Sequence, residues 1–199
     1  MYICIMKNIL MLVVLLLSTQ IVTAQEYGIN DSGSKVEWFA TKVTGKHNGD
    51  IKTKEGNFTF EKNKLKGGKV VIDMNTINAT DIQGEYKDKL DGHLKAADFF
   101  DVSTFPESII EIKSVKYKKG KGTNTIITAD LTIKGITNEI TFPANILVKD
   151  NNAFANASIT IDRTKWNIVY GSGSVFKSIG DKAINDNIVF KIKLELIKK

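Results

Sequence analysis

The residues best suited to chemistry lie in one short stretch, GHLKAADFFDVSTFP, at positions 92–106. His93 could join His47, the other histidine of the chain, and Asp98 or Asp101 in ligating a transition metal, which would favour a metal-dependent enzyme. No H-x-H or H-x-x-x-H spacing supports such a site. A histidine near a helix end more commonly hydrogen-bonds to the backbone. We therefore predict no metal site and keep the enzyme as a less favoured alternative.

The GSGS stretch at 171–174 is the other segment that could bind or activate a substrate. It does not match the dinucleotide-binding fingerprint, because no glycine follows Gly173 three residues later. It does not match a nucleophile elbow either. A serine triad around His93 would need a serine in an activating context, and the sequence offers none. We predict no catalytic residues and no cofactor.

Arg163 is the sole arginine of the chain and lies in an apolar setting, IDRTKW. One interpretation pairs it with Asp162 or with another carboxylate. The other uses its planar guanidinium to anchor an anionic head group. The sequence leaves both open.

The chain carries a formal net charge of +6, nearly all of its positive charge as lysine. Lysine lacks the bidentate fork with which arginine reads bases and clamps phosphates. The lysines are also scattered among strand-like segments, as at Lys62, Lys64, Lys66 and Lys69. This pattern is typical of a solvated surface, and we predict no nucleic-acid partner.

Residues 1–24 are predicted to be a cleaved secretion signal of the Sec type. Lys7 precedes an apolar run at 9–17 that is short for a bilayer span, and the small residues that signal peptidase accepts follow at 22–24. An uncleaved anchor is the alternative. The only cysteine, Cys4, lies within this segment, so residues 25–199 form one predicted domain without disulfides. We expect a periplasmic or secreted protein with no integral membrane segment after cleavage.

Period-two alternation of apolar residues dominates the remaining chain and predicts β-strands. It is clearest over Ile188–Leu196, Ile140–Val148 and Ile127–Ile133. Turn signals separate the strands, at 55–56, 67–68, 120–122, 134–135 and 150–152. Such spacing predicts an all-β antiparallel sheet of about eight strands. Burial of its apolar face requires closure into a barrel or division into two layers.

One segment breaks this alternation and predicts an amphipathic helix over about 81–92. Ile82, Tyr86 and Leu90 recur every fourth residue, and Asp81 and Gly92 are suited to its two ends. The apolar stripe is expected to cover one end of the barrel.

Small residues on the inward faces leave two readings of the barrel interior open. Ala153, Ala155 and Ala157 share one face, while Ala129 and Ala144 lie among larger residues on theirs. A cavity for a ligand is one reading. The other is a filled core, in which these alanines accommodate large aromatic side chains opposite them.

Five stretches of the chain resemble the YceI-like family of secreted lipid-binding proteins, in the form typical of Bacteroidetes. GHLKAADFFDVSTFP resembles the family's H-L-K/R-S-x-D-F-F-D-x-x-x-F/Y-P signature, with Ala96 in place of the usual serine, and LTIKGIT resembles its strand-and-turn signature. Three further stretches extend the similarity over about residues 30–197: VEWFATKVTGKHNGDIKTKEGNFTF, GGKVVIDMNTI and IDRTKWNIVYGSGSVFKSIGDKAINDNIVFKIKLEL.

The resemblance implies a lipocalin-like antiparallel barrel whose tunnel holds the isoprenoid chain of a polyprenyl phosphate, a quinone or a similar amphiphile. It implies no catalytic residues. His93 and Asp98 are expected to secure the turn between helix and barrel, with Arg163 and His93 near the head group. The predicted ligand-binding residues are Trp38, Phe58, Phe60, Met74, Ile82, Tyr86, Leu90, His93, Phe99, Phe100, Leu131, Ile133, Phe142, Arg163 and Trp166.

Two other hypotheses remain beside this lipid carrier. A filled barrel would suit a secreted stress or interaction protein, and the metal-dependent enzyme would use His47 and His93. A homodimer is also compatible with a sheet that has exposed edges.

Overall fold

The computed structural model describes residues 24–118, 123–177 and 180–199. The predicted signal segment lies outside these residues except for Ala24, so both the signal and the domain boundary stay predictions. No helix among the described residues is long and apolar enough to cross a membrane.

The described residues form nine β-strands and one α-helix. The strands are β1 (Gln25–Ile29), β2 (Lys35–Lys42), β3 (Gly45–Glu61), β4 (Lys64–Ala79), β5 (Glu107–Tyr117), β6 (Thr125–Ile133), β7 (Ile136–Lys149), β8 (Asn152–Asp162) and β9 (Ile184–Lys198). The helix is α1 (Gly84–Lys95). Short 3₁₀ helices lie at Asp31–Gly33, Arg163–Trp166 and Gly180–Lys182.

The strands close into an antiparallel barrel with eight strand positions. From β2 to β9 each strand pairs with the next along the chain, and β9 pairs back with both β2 and β1. β1 and β2 lie end to end between β3 and β9, so together they occupy one position. The predicted antiparallel barrel of about eight strands with one helix is confirmed. Every described strand is paired on both sides, so the exposed edge that was compatible with a homodimer is absent from this part of the chain.

Two-residue turns with positive φ at both positions join two pairs of strands in the described chain. Lys62 and Asn63, between β3 and β4, have φ of 48° and 60°, and Lys134 and Gly135, between β6 and β7, have 51° and 72°. Turns of this hand match the twist of antiparallel strands. The turn predicted at Lys134-Gly135 is therefore confirmed.

The turns predicted at 55–56 and 67–68 were wrong, because both glycine sites lie inside the long strands β3 and β4. These glycines allow close approach of neighbouring groups. A Cβ on Gly68 would lie 2.7 Å from the Asn57 carbonyl oxygen, and one on Gly56 would lie 2.4 Å from Ile29 Cδ1. Glycine inside a strand often marks such a contact rather than a chain reversal.

Gly49 of β3 creates the space for Trp38 of β2, its partner in the sheet. A Cβ on Gly49 would lie 1.8 Å from the Asn78 carbonyl oxygen and 2.7 Å from Trp38 Cζ2. Trp38 Nε1 donates a hydrogen bond to the same carbonyl at 3.2 Å.

We expect Gly49→Ala to lower the free energy of unfolding by about 2 kcal/mol, because backbone atoms must move to admit the methyl group. Urea denaturation measures the change. Gly67→Ala in β4 is the matched control, since a Cβ there meets nothing within 4 Å. Equal stability of the two variants would contradict this account of Gly49.

The helix begins three residues later than predicted and extends beyond Gly92 to Lys95. Gln83 occupies the N-cap position without a side-chain hydrogen bond, so the capping role predicted for Asp81 was wrong. α1 is instead held to the barrel at Asp91, whose Oδ1 accepts a hydrogen bond from the Ala79 amide at 2.7 Å. Asp91 also pairs with Lys87, one turn earlier.

Asp81 connects the chain before α1 to the start of β3. Its Oδ2 lies 2.9 Å from His47 Nδ1, and its Oδ1 accepts a hydrogen bond from the Asn48 amide at 3.2 Å. Burial alone would raise the pKa of the Asp81 carboxyl, but the bonds from Asn48 and His47 outweigh it and hold this pKa below its usual value.

We therefore expect Asp81→Asn to lower the free energy of unfolding at neutral pH by about 0.5 kcal/mol, a value reduced for solvent screening. Because the pKa is lower in the folded state, the stabilisation is complete above the unfolded pKa of about 3.9 and disappears as pH falls through the folded pKa. Denaturation from pH 7 to pH 2 tests this, with Asp88→Asn on α1 as the control. A difference that persists at pH 2 would contradict it.

Candidate functional site

An apolar cavity occupies the inside of the barrel, with a volume of about 120 Å³. All eight strand positions contribute to its wall, and Phe100 contributes from the segment after α1. A water molecule needs roughly 10–15 Å³ of such space, so the cavity has space for several methylene-sized groups. Among the described residues the wall has no charged side chain, and its polar side chains are Thr53 and Ser108. The site therefore suits a hydrocarbon segment.

Three of the inward alanines form part of this wall. Ala144, Ala155 and Ala157 line the cavity, and Ala144 pairs with Ala157 across β7 and β8. Ala129 and Ala153 are fully buried but do not line the cavity.

Seven predicted ligand-binding residues line the cavity, namely Phe58, Phe60, Met74, Phe100, Leu131, Ile133 and Phe142. Their contact with a ligand stays a prediction. Trp38, Phe99 and Trp166 are buried in the surrounding core, while Ile82 and Leu90 are partly buried against it.

Tyr86 is placed differently from its prediction. Its side chain is 78% exposed, with the Lys89 ammonium 6.0 Å from the ring centre. Leu94, at the other end of α1, is the buried residue of the helix. Tyr86 therefore cannot line the cavity in this structure, because the first turn of α1 extends beyond the part that packs on the barrel.

Arg163 lies at the barrel end and is fully buried. Its five N–H groups make five hydrogen bonds of 2.7–3.3 Å, to the carbonyl oxygens of Ile168, Tyr170, Ile184 and Asn185 and to the Asp186 carboxylate. Burial lowers the pKa of the guanidinium, and Asp186 opposes this shift.

This geometry corrects the head-group contact predicted for Arg163, because the guanidinium has no free donor. The pairing with a carboxylate holds, with Asp186 as the partner. Asp162 instead caps the following 3₁₀ helix, where its Oδ1 accepts a hydrogen bond from the Thr164 amide at 3.0 Å.

His93 lies on α1 between two aromatic rings. Its ring centre is 4.3 Å from that of Tyr170 and 5.3 Å from that of Phe99. The predicted contact with Asp98 is only a 4.0 Å approach between Nδ1 and Oδ1, too long for a hydrogen bond. Backbone bonds secure the turn instead, including that from the Asp101 amide to the Ala96 carbonyl at 2.8 Å. His93 Nε2 is buried without a partner.

The two histidines have different surroundings, since His47 contacts Asp81 while His93 packs on aromatic rings. Within residues 24–118, 123–177 and 180–199, no three His, Cys, Asp or Glu side chains are grouped as metal ligands. The arrangement gives the metal-dependent alternative no support.

A polar cleft of about 470 Å³ adjoins the apolar cavity. Val36, Ile51 and Thr53 line both spaces. The cleft lies where β1 passes into β2, next to β3, whose pairing with β4 shifts register between Asp50 and Lys52. Its charged residues are two acids and two lysines, Asp31, Asp50, Lys35 and Lys52. No local sequence signal predicts this cleft, because it depends on the break between two strands.

Ser108 and Thr53 line the cavity but are not among the predicted ligand-binding residues. A signal for Ser108 existed, because it is in phase with Ile110 and Ile112 on β5 and all three line the cavity. Period two identifies the face of a residue, but the irregular pairing of β3 with β4 makes the corresponding inference for Thr53 unreliable.

The model of the YceI-like domain matches residues 27–196, which is nearly all of the described barrel. The chain belongs to the YceI-like family. Among relatives, a UPF0312 protein of Pseudomonas putida is 33% identical over 132 residues, which cover 65% of this chain and 66% of the relative. Protein YceI of Salmonella arizonae is 33% identical over 99 residues, or 50% and 48% of the two chains. The YceI-like chain thus spans just under two thirds of the first relative and about half of the second.

Solved structures of other proteins share the fold. BcnA of Burkholderia cenocepacia superposes with a TM-score of 0.65 at 20% identity, covering 84% of this chain and 98% of BcnA. A polyisoprenoid binding domain from Saccharophagus degradans, implicated in plant cell wall breakdown, superposes with a TM-score of 0.61 at 12% identity, covering 87% and 98%. These comparisons leave the Bacteroidetes-type resemblance as a prediction.

Proposed function

We propose that this protein binds the apolar chain of an isoprenoid, quinone or related lipid inside its barrel and keeps that chain away from water. The observation that carries the proposal is the apolar cavity, walled by every strand position and without a charged lining residue in the described chain. The structural neighbour from Saccharophagus degradans, named as a polyisoprenoid binding domain, supports the same ligand class.

The hydrophobic effect supplies the affinity in this proposal. Burial of one CH₂ group contributes about 0.8 kcal/mol, so a five-carbon isoprene unit contributes about 4 kcal/mol before the loss of translational freedom is subtracted. A long chain needs more room than 120 Å³, and flexible lining side chains such as Met74 would have to change rotamer to admit it. Because Val36, Ile51 and Thr53 line both the cavity and the polar cleft, the proposal places the entry of the chain at this cleft.

The same proposal makes the protein a binding protein rather than an enzyme. Arg163 is bonded to backbone carbonyls and to Asp186, and His93 packs on aromatic rings. No three metal-ligating side chains are grouped in the described residues. A periplasmic or secreted location follows from the signal predicted at residues 1–24. There the protein would carry or sequester its lipid.

Uptake of lipid by the stripped protein tests this function. We expect a tetraprenyl quinone, added to lipid-free protein, to displace a fluorescent apolar probe with saturation at one molecule per chain. Bovine serum albumin and a tail-free quinone are controls for unspecific partition and for head-group binding. Failure of every isoprenoid to displace the probe would favour the filled-barrel interaction protein.

A further inference from the structure

One hydroxyl group in the cavity wall has no hydrogen-bond partner. Ser108, on β5, is 5% exposed and its Oγ is buried without a donor or acceptor. The other polar side chain of the wall is committed, because Thr53 Oγ1 donates to Asp31 Oδ1 at 3.2 Å. Buried polar atoms in folded proteins are nearly always satisfied, so an unpartnered one calls for a functional explanation.

Ser108 lies in the wall of the ligand space. Ser108 pairs with Ile72 on β4, and Ile72 pairs with Thr53 on β3. All three line the cavity, so they form one row across its wall. The row reaches the polar cleft at Thr53, which lines both spaces.

A bound water is a poor partner for this hydroxyl. A buried water typically makes two to four hydrogen bonds, and the wall around Ser108 is apolar apart from Thr53. A ligand atom that accepts a single hydrogen bond fits better, because a hydrocarbon chain can fill the rest of the cavity.

We propose that Ser108 donates a hydrogen bond to an uncharged oxygen of the ligand, such as the carbonyl of a quinone, ester or amide, within the barrel. This inference rests on the proposed function. A phosphate or carboxylate in the same place would be buried without a counter-charge, which is far more costly. The adjoining cleft does not favour an anion either, since its two lysines are matched by two aspartates.

Removal of the hydroxyl should change affinity and stability in opposite directions. Ser108→Ala deletes the donor, so it weakens binding of a ligand that has the acceptor. In the empty protein it deletes an unsatisfied polar group, so the melting temperature rises. If the hydroxyl had a purely structural role, its removal would lower the melting temperature.

The experiment uses the full chain, stripped of lipid, with three probes that share a tetraprenyl tail: a quinone, the hydrocarbon without a head group, and the monophosphate. Displacement of a fluorescent apolar probe gives the dissociation constants. We expect the quinone to bind most tightly, and Ser108→Ala to weaken it about 2- to 10-fold while leaving the hydrocarbon unchanged. Ser108→Thr, which keeps a hydroxyl, should retain the preference for the quinone. Ile110→Val, on the same face of β5, should weaken both ligands alike.

Other outcomes separate the two proposals. The role of Ser108 would be overturned if Ser108→Ala weakened quinone and hydrocarbon binding equally. It would also be overturned if the unmodified protein bound the monophosphate more tightly than the quinone. Either result would leave the proposed function in place. No uptake of any probe by the unmodified protein would overturn both.

Discussion

Arg163→Met is expected to lower the free energy of unfolding by about 3–5 kcal/mol, the range for removing one partner of a buried charged network. The substitution leaves four carbonyl groups and the Asp186 carboxylate without their shared donor. Two of these acceptors, the carbonyls of Ile168 and Tyr170, lie in the segment between β8 and β9, and the other three lie at the start of β9. The variant therefore loses the attachment of this segment to the barrel end. Urea denaturation followed by tryptophan fluorescence measures the loss.

Two further variants make this result specific. Arg163→Lys keeps the charge but has three donors for five acceptors, so its loss should be intermediate. Lys165→Met, at an exposed position two residues away, should change stability by less than about 0.5 kcal/mol. A loss in Arg163→Met no greater than that in Lys165→Met would contradict the structural role of Arg163.

Ala157→Leu is expected to weaken isoprenoid binding about 50-fold. Leucine adds three carbon atoms to a side chain that faces the cavity, so it displaces about three ligand methylenes, each contributing about 0.8 kcal/mol. Because the added atoms enter existing space, the free energy of unfolding should change by less than about 1 kcal/mol. Titration with a tetraprenyl quinone and urea denaturation measure the two effects.

The neighbouring Asn156→Leu is the matched control, because Asn156 is exposed and faces away from the cavity. It should bind the quinone with unchanged affinity. Unchanged binding by Ala157→Leu would show that the ligand lies elsewhere, and a large loss of stability would show that no free space adjoins Ala157.

The barrel itself could be predicted because its signals are local. Alternation over Ile127–Ile133 appears in the structure as strict burial of every second residue on β6. The turns at 55–56 and 67–68 were predicted wrongly because glycine has two uses in a strand-rich chain. The sequence does not distinguish a chain reversal from a site where another strand comes close.

Residues of the candidate site could be predicted only where their position along a single strand determines whether they face the cavity. Phe58 and Phe142 line the cavity because of their phase along β3 and β7. Tyr86 has the right helical phase, but the phase does not show which turn of the helix extends beyond the part of the barrel on which the helix packs. The head-group contact of Arg163 was predicted wrongly because its five acceptors lie 5–23 residues further along the chain. Four of them are backbone carbonyls, which no side-chain pattern reveals.

The most direct test of the central claim is native mass spectrometry of the protein purified without detergent from bacterial cells, followed by organic extraction of the same sample. The proposed function predicts a complex with one apolar lipid per chain, which extraction releases and which carries an isoprenoid tail. A protein that shows only its own mass, from cells that contain such lipids, would contradict the claim that the barrel interior is a lipid site.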